Sequence, residues 1–201
     1  MRRILISSAT IALVVGIVIA VTGAYFSDTE TSNDNTFTAG TLNLTLDDND
    51  GTNVVKFTVA NVKPGDNGVG TWKLVNTGSL SGYVDLESIA VTDTENVNPE
   101  SETNTTEPGD LGANMDVVLF WDDGAGDGTA GNGVKDGTEA TIYSGKLANI
   151  ASSYDTNYAL AAGGTTYISM TWSVDSGVGN DIQGDKSELD ITFELAQTQG
   201  Q

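Results

Sequence analysis

Apolar residues fall on every second position in segment after segment of this 201-residue chain. In TTYISMTWSVD they are Ile168, Met170, Trp172 and Val174; in LDITFELAQTQ they are Leu189, Ile191, Phe193 and Leu195. A period of two lines one face of an extended strand, whereas an amphipathic helix needs a period of about 3.6. TLNLTL repeats the pattern with Leu42, Leu44 and Leu46, and VVKFTVANV with Val55, Phe57 and Val59. GTWKLVNTGS turns Trp72 and Leu74 inward and Lys73 outward. In GYVDLESIAVTDTE the phase slips from Val84 and Leu86 to Ile89 and Val91, which predicts a β-bulge near Glu87–Ser88. MDVVLFWDD is apolar on both faces and predicts an interior strand; TEATIYSGKL predicts another, and LANIASS a short helical turn. KPGDNG is a turn, because Pro64 fixes φ and Gly65 accepts a positive one. No amphipathic segment is long enough for a helical layer. The prediction is an all-β fold: a jelly-roll antiparallel β-sandwich of about eight strands over residues 38–201.

A different kind of segment precedes it. Ile4 to Ser27 carries no charge, contains ILISSATIALVVGIVIAV, and follows Arg2 and Arg3. Basic residues, an apolar stretch and the small residues Thr22, Gly23 and Ala24 predict a hydrophobic signal-peptide helix over residues 1–24, cut between Ala24 and Tyr25. A retained anchor and a pilin-type leader compete with this reading. The pilin type places a glutamate early in the helix, and here no acid precedes Asp28. The chain is thus divided into a signal peptide (1–24), an N-terminal segment (25–37) and the sandwich (38–201).

Charge narrows the partners. Eight basic residues stand against 28 acids, a net charge of −20. Nucleic acid is not an expected partner, because neutralising phosphates takes cations. The acids predict a solvated, self-repelling surface; the sharper reading is adaptation to salt or divalent ions held between molecules. There is no cysteine and no histidine. The commonest general base and the commonest zinc ligand are therefore missing. No serine has a base beside it and no acid lies in an apolar setting, so no catalytic residue is predicted.

One acidic stretch resembles a cation loop. DDGAGDGTAGNGVKDGTE places Asp122, Asp123, Asp127, Asn132, Asp136 and Glu139 among glycines, and oxygen ligands so spaced suit calcium. The spacing fits no EF-hand register, and a hairpin excursion rich in turn formers is the competing reading. No cofactor is required; calcium is the candidate ion. Asn104 in NTT and Asn43 in NLT match the glycosylation sequon, Asn104 in a loop and Asn43 in a strand.

Several stretches, taken in order, carry a resemblance: GAYFSDTETSNDNTFTAGTLNL at the leader junction, NVKPGD at 61–66, NTGSLSGYVDL at 76–86 and GNDIQGDKSELDITFELAQTQ at 179–199. Together they resemble the TasA–camelysin family; the segment between about Asn96 and Asp155 takes no part. The resemblance implies processing by a SipW-type signal peptidase, secretion to the cell surface or extracellular matrix, and a jelly-roll subunit that polymerises into biofilm-matrix fibres. Its partners would be copies of itself and other matrix proteins. It further implies that the freed segment, Tyr25, Phe26, Ser27, Asp28, Thr29, Glu30, Thr31, Ser32, Asn33, Asp34, Asn35, Thr36 and Phe37, is a donor strand completing the next subunit. The segment has aromatic residues only near its ends and threonines that favour extended backbone, which suits strand addition; a flexible tail is the competing reading. Two alternatives stand beside the fibre: a membrane-tethered or surface-layer module that binds calcium, and a camelysin-type endopeptidase. The second lacks any histidine for zinc.

Overall fold

The computed structural model describes residues 40–47, 62–95, 104–126 and 128–200. The leader, its cleavage bond, residues 25–37, Asp127 and all but Val62 of the strand expected over 54–62 lie outside them. Contacts divide the chain into two units, Met1–Thr38 and Ala39–Gln201, and every described residue belongs to the second.

The elements run β1 (Leu44–Leu46), β2 (Asn67–Asn76), β3 (Gly82–Thr94), a one-turn helix α1 (Leu111–Asn114), β4 (Met115–Trp121), β5 (Thr141–Lys146), β6 (Tyr154–Leu160), β7 (Thr165–Val174) and β8 (Lys186–Ala196). They form two antiparallel sheets, β1-β2-β7-β4-β5 (sheet A) and β6-β3-β8 (sheet B). The fold is an all-β sandwich, as the period-two pattern requires. Among the described residues the sheets hold five and three strands, rather than the four and four of a regular jelly roll.

The predicted faces are the observed ones. Trp72 and Leu74 of β2, Ile168, Met170, Trp172 and Val174 of β7, and Met115, Val117, Leu119 and Trp121 of β4 point into one core. Val84, Leu86 and Ile89 of β3 meet them from the other sheet. The register of β3 on β8 slips between Leu86 and Ser88, at the predicted bulge. That extra residue keeps Val84 and Ile89 on the same face despite their odd spacing. The 63–66 turn closes with the Asp66 amide donating to the Lys63 carbonyl, with Gly65 at φ +89°. The LANIASS segment holds a 3₁₀ turn, Leu147–Asn149.

Strand β6 was not predicted. Its inward positions include Thr156, and Asn157 adopts a positive φ of 49°, so the apolar alternation of YDTNYAL is broken where the strand kinks. The described strands number eight, but they include β6 and exclude 54–62.

Two aromatic contacts fix how the sheets overlie. Trp72 of β2 meets Phe193 of β8 at 6.2 Å between ring centroids, and Trp121 of β4 stacks on Tyr158 of β6 at 3.9 Å. Hence β8 lies under β2, β3 under β7 and β6 under β4. Strand β1, one position further out, has no described strand of sheet B beneath it.

Candidate functional site

Strand β8 stands at one edge of sheet B among the described residues. Among the described residues it pairs with β3 alone, so its other row of N–H and C=O groups has no described partner. It is eleven residues long and contains no proline, no glycine and no positive φ. Edge strands are commonly blunted by such features. Strand β6, at the opposite edge, has one in Asn157. The core-side residues of β8, Leu189, Ile191, Phe193 and Leu195, are only half-buried, as are Leu44 and Leu46 of β1 at the border of sheet A. By contrast Leu74, Leu119, Ile168 and Met170 in the middle of the sandwich are fully buried. The edge therefore presents a partly covered apolar strip beside a row of main-chain hydrogen-bonding groups. On its outer face stand Lys186, Glu188, Asp190, Thr192 and Glu194.

The acidic loop between β4 and β5 is the opposite case. It folds back over the outer face of sheet A, bringing Gly131 against the ring of Tyr167 and Gly133 against Val69. Both glycines have positive φ, +73° and +74°, and their amides converge on Asp122. Asp122 is fully buried; its Oδ1 accepts from Gly131 N at 2.8 Å, and its Oδ2 from Gly133 N and Ser169 Oγ, each at 2.7 Å. Phe120, in register with Ser169 on that face, is fully buried too. Glu139, 2% exposed, accepts from Gly124 N at 2.9 Å and Asp136 N at 3.0 Å. Asp123 accepts from Ala125 N and from the Tyr158 hydroxyl. Burial raises that phenol above its ordinary pKa, and the Asp123 charge pushes the same way. Asn132 accepts from Val134 N and donates to Asp136. The structure thus brings five of the six candidate calcium ligands into one loop and turns most of their oxygens onto its own N–H groups. Among the described residues no three such side chains stand close enough to hold a metal ion.

A family model described as camelysin metallo-endopeptidase matches residues 1–201. The chain belongs to the TasA–camelysin family. No curated protein matches it. The family description implies a catalytic metal, and the donor set of this camelysin-family chain does not fit zinc. Protease zinc sites use histidine nitrogens, and the sequence has neither histidine nor cysteine. The buried loop carboxylates that could substitute already accept backbone N–H groups.

Three further features of the camelysin-family sandwich escaped sequence reasoning. Asn76, fully buried, donates to the carbonyls of Leu80 and Leu160, while its Oδ1 accepts from Gly78 N. It is a three-way clamp where the sequence showed only the end of a strand. A second group of acids, Asp93, Glu95, Asp110 and Asp185, gathers around α1: Asp185 Oδ2 accepts from the amides of Asp110 and Leu111, and Asp93 from Gly112 N. The third is the half-covered strip of β8, which depends on sheet order. Both glycosylation candidates have their side-chain amides engaged: Asn104 donates to the Asp110 carboxylate and Asn43 to Thr77 Oγ1.

Proposed function

We propose that this chain is a secreted structural subunit, without catalytic activity, that polymerises into extracellular filaments once a SipW-type signal peptidase has removed residues 1–24. The segment 25–37 of one copy adds as a strand to the β8 edge of the next. The observation that carries this reading is the edge itself: a long regular strand with no second described neighbour and a half-covered apolar strip. Strand addition supplies main-chain hydrogen bonds and covers such a strip at once. Donor and acceptor are different surfaces, so repetition gives an open filament and not a closed ring. An uncut leader keeps the donor segment at the membrane, which makes cleavage the trigger.

The test is electron microscopy of the chain beginning at Tyr25, beside one lacking residues 25–36. The first forms filaments; the second stays a folded monomer. Filaments of equal yield from the truncated chain would refute strand donation. The family's endopeptidase description is tested on the same preparations with an unfolded protein substrate, with and without chelator; no chelator-sensitive cleavage is expected.

A further inference from the structure

The β8 edge is guarded by charge where β6 is guarded by shape. Its outer face carries Glu188, Asp190 and Glu194, and the residues in register with them on β3 are Thr92, Ala90 and Asp85, none of them a cation. Lys186, at the strand's start, pairs with Glu188. Asp85 is 5% exposed and adds its own negative charge beside Glu194.

The donor segment shows a matching parity. Its acids, Asp28, Glu30 and Asp34, all occupy even positions, and every odd position from Tyr25 to Phe37 is uncharged. On the strand-donation reading, an added segment would turn its odd face toward Leu189, Ile191, Phe193 and Leu195, because carboxylates do not enter an apolar strip unpaired. In that arrangement the acids would fall on the outer face, next to those of β8. The intervals agree: two and four residues separate Asp28, Glu30 and Asp34, and likewise Glu188, Asp190 and Glu194. Parallel addition can oppose all three pairs; antiparallel addition can oppose two, Asp28 with Glu194 and Asp34 with Glu188.

We infer that addition of a second copy at the β8 edge is gated by ionic strength, through the row of like charges that donor and acceptor strands bring together. This inference rests on the strand-donation reading and adds its regulation. Directly opposed like charges disfavour strand pairing, each pair by up to about fivefold in the equilibrium constant. Two or three pairs together weaken addition roughly ten- to hundredfold. On β8, Glu188 and Asp190 are exposed and Glu194 is half-buried, so salt weakens the penalty: the screening length falls from about 30 Å at 0.01 M to about 3 Å at 1 M. Low salt holds the processed subunit as a monomer, and high salt releases it.

The experiment follows filament elongation by light scattering and electron microscopy, using the chain beginning at Tyr25 in about 0.01 M and about 1 M sodium chloride. Elongation is expected to be at least about tenfold faster in high salt. The acceptor variant Glu188→Gln/Asp190→Asn/Glu194→Gln elongates in low salt about as fast as the unmodified chain does in high salt. The donor variant Asp28→Asn/Glu30→Gln/Asp34→Asn does the same. A control with the same net charge, Glu107→Gln/Asp155→Asn/Asp175→Asn, changes exposed acids elsewhere and retains the salt requirement. Circular dichroism verifies that each variant is folded. Elongation indifferent to salt, or a control that behaves like the two strand variants, overturns the gate and leaves strand donation standing. No filaments from any chain at any salt defeats strand donation, and the gate with it.

Discussion

The loop over sheet A and the strand at the edge of sheet B are both acidic, and they use their acids in opposite ways. In the loop, Asp122 and Glu139 are buried and accept backbone N–H groups from glycines 124, 131 and 133 and from Asp136. On β8, Glu188 and Asp190 point into solvent. A carboxylate surrounded by N–H donors holds a loop closed; one on a strand's outer face leaves the edge accessible and repels its like. Negative charge alone therefore says little about function in this chain. What matters is whether the fold supplies donors to meet it.

Removing the loop's central acceptor tests that contrast most severely. Asp122→Ala leaves the Gly133 amide without its acceptor in a buried place and takes one of two partners from Gly131 N, which keeps the Asp122 carbonyl, and from Ser169 Oγ, which keeps Thr71 Oγ1, at a cost of about 3 kcal/mol. Urea denaturation should show it as a large fall in midpoint. A loss under about 1 kcal/mol would mean that the loop is not held through this residue. The next test compares positions within the apolar layer. Leu119→Ala, at a fully buried site, should cost about 2–5 kcal/mol. Phe193→Ala on the half-covered strip should cost the monomer less than half as much, yet reduce filament yield more than any other single truncation on β8. Equal costs at the two sites in the monomer would show that the strip is already as well packed as the core.

Legibility followed the range over which each interaction acts. The faces of β2, β3, β4, β7 and β8 could be read because the pleat fixes alternation residue by residue, and even the bulge at Glu87–Ser88 left a local trace in its phase slip. The 63–66 turn was likewise local: Lys63 N and Nζ both donate to the carboxylate of Asp66, three residues on. Strand β6 was hidden by its own kink at Asn157. The loop's partner, Ser169, lies 47 residues from Asp122, so the 122–139 stretch showed its acids and glycines but not the amides and the distant hydroxyl from which Asp122 and Glu139 accept. The half-covered strip depends on β8 standing last among the described strands of its sheet, where it pairs with β3 about a hundred residues away.

Asp185 sits between the two extremes, at the root of β8, and gives the smallest effect. Its Oδ2 accepts from the amides of Asp110 and Leu111, as a loop carboxylate would, but the surrounding side chains Asp93, Glu95 and Asp110 are all acids. Burial pushes the Asp185 carboxyl above its ordinary value of 3.8, and the Asp110 charge pushes it further; the two amides and a hydrogen bond with Glu95 pull it part of the way back. A folded-state pKa above the unfolded one means that the native protein holds this proton more tightly. The resulting stabilisation is complete below 3.8 and lost as pH rises through the elevated value. Asp185→Asn keeps an oxygen for the two amides and removes the charge. It should raise the melting temperature at neutral pH, with the gain shrinking toward zero as the pH falls below 3.8. Thermal melts across that range decide the matter. A variant destabilised equally at every pH would show that the carboxylate, crowded as it is by other acids, is held here as comfortably as those in the loop.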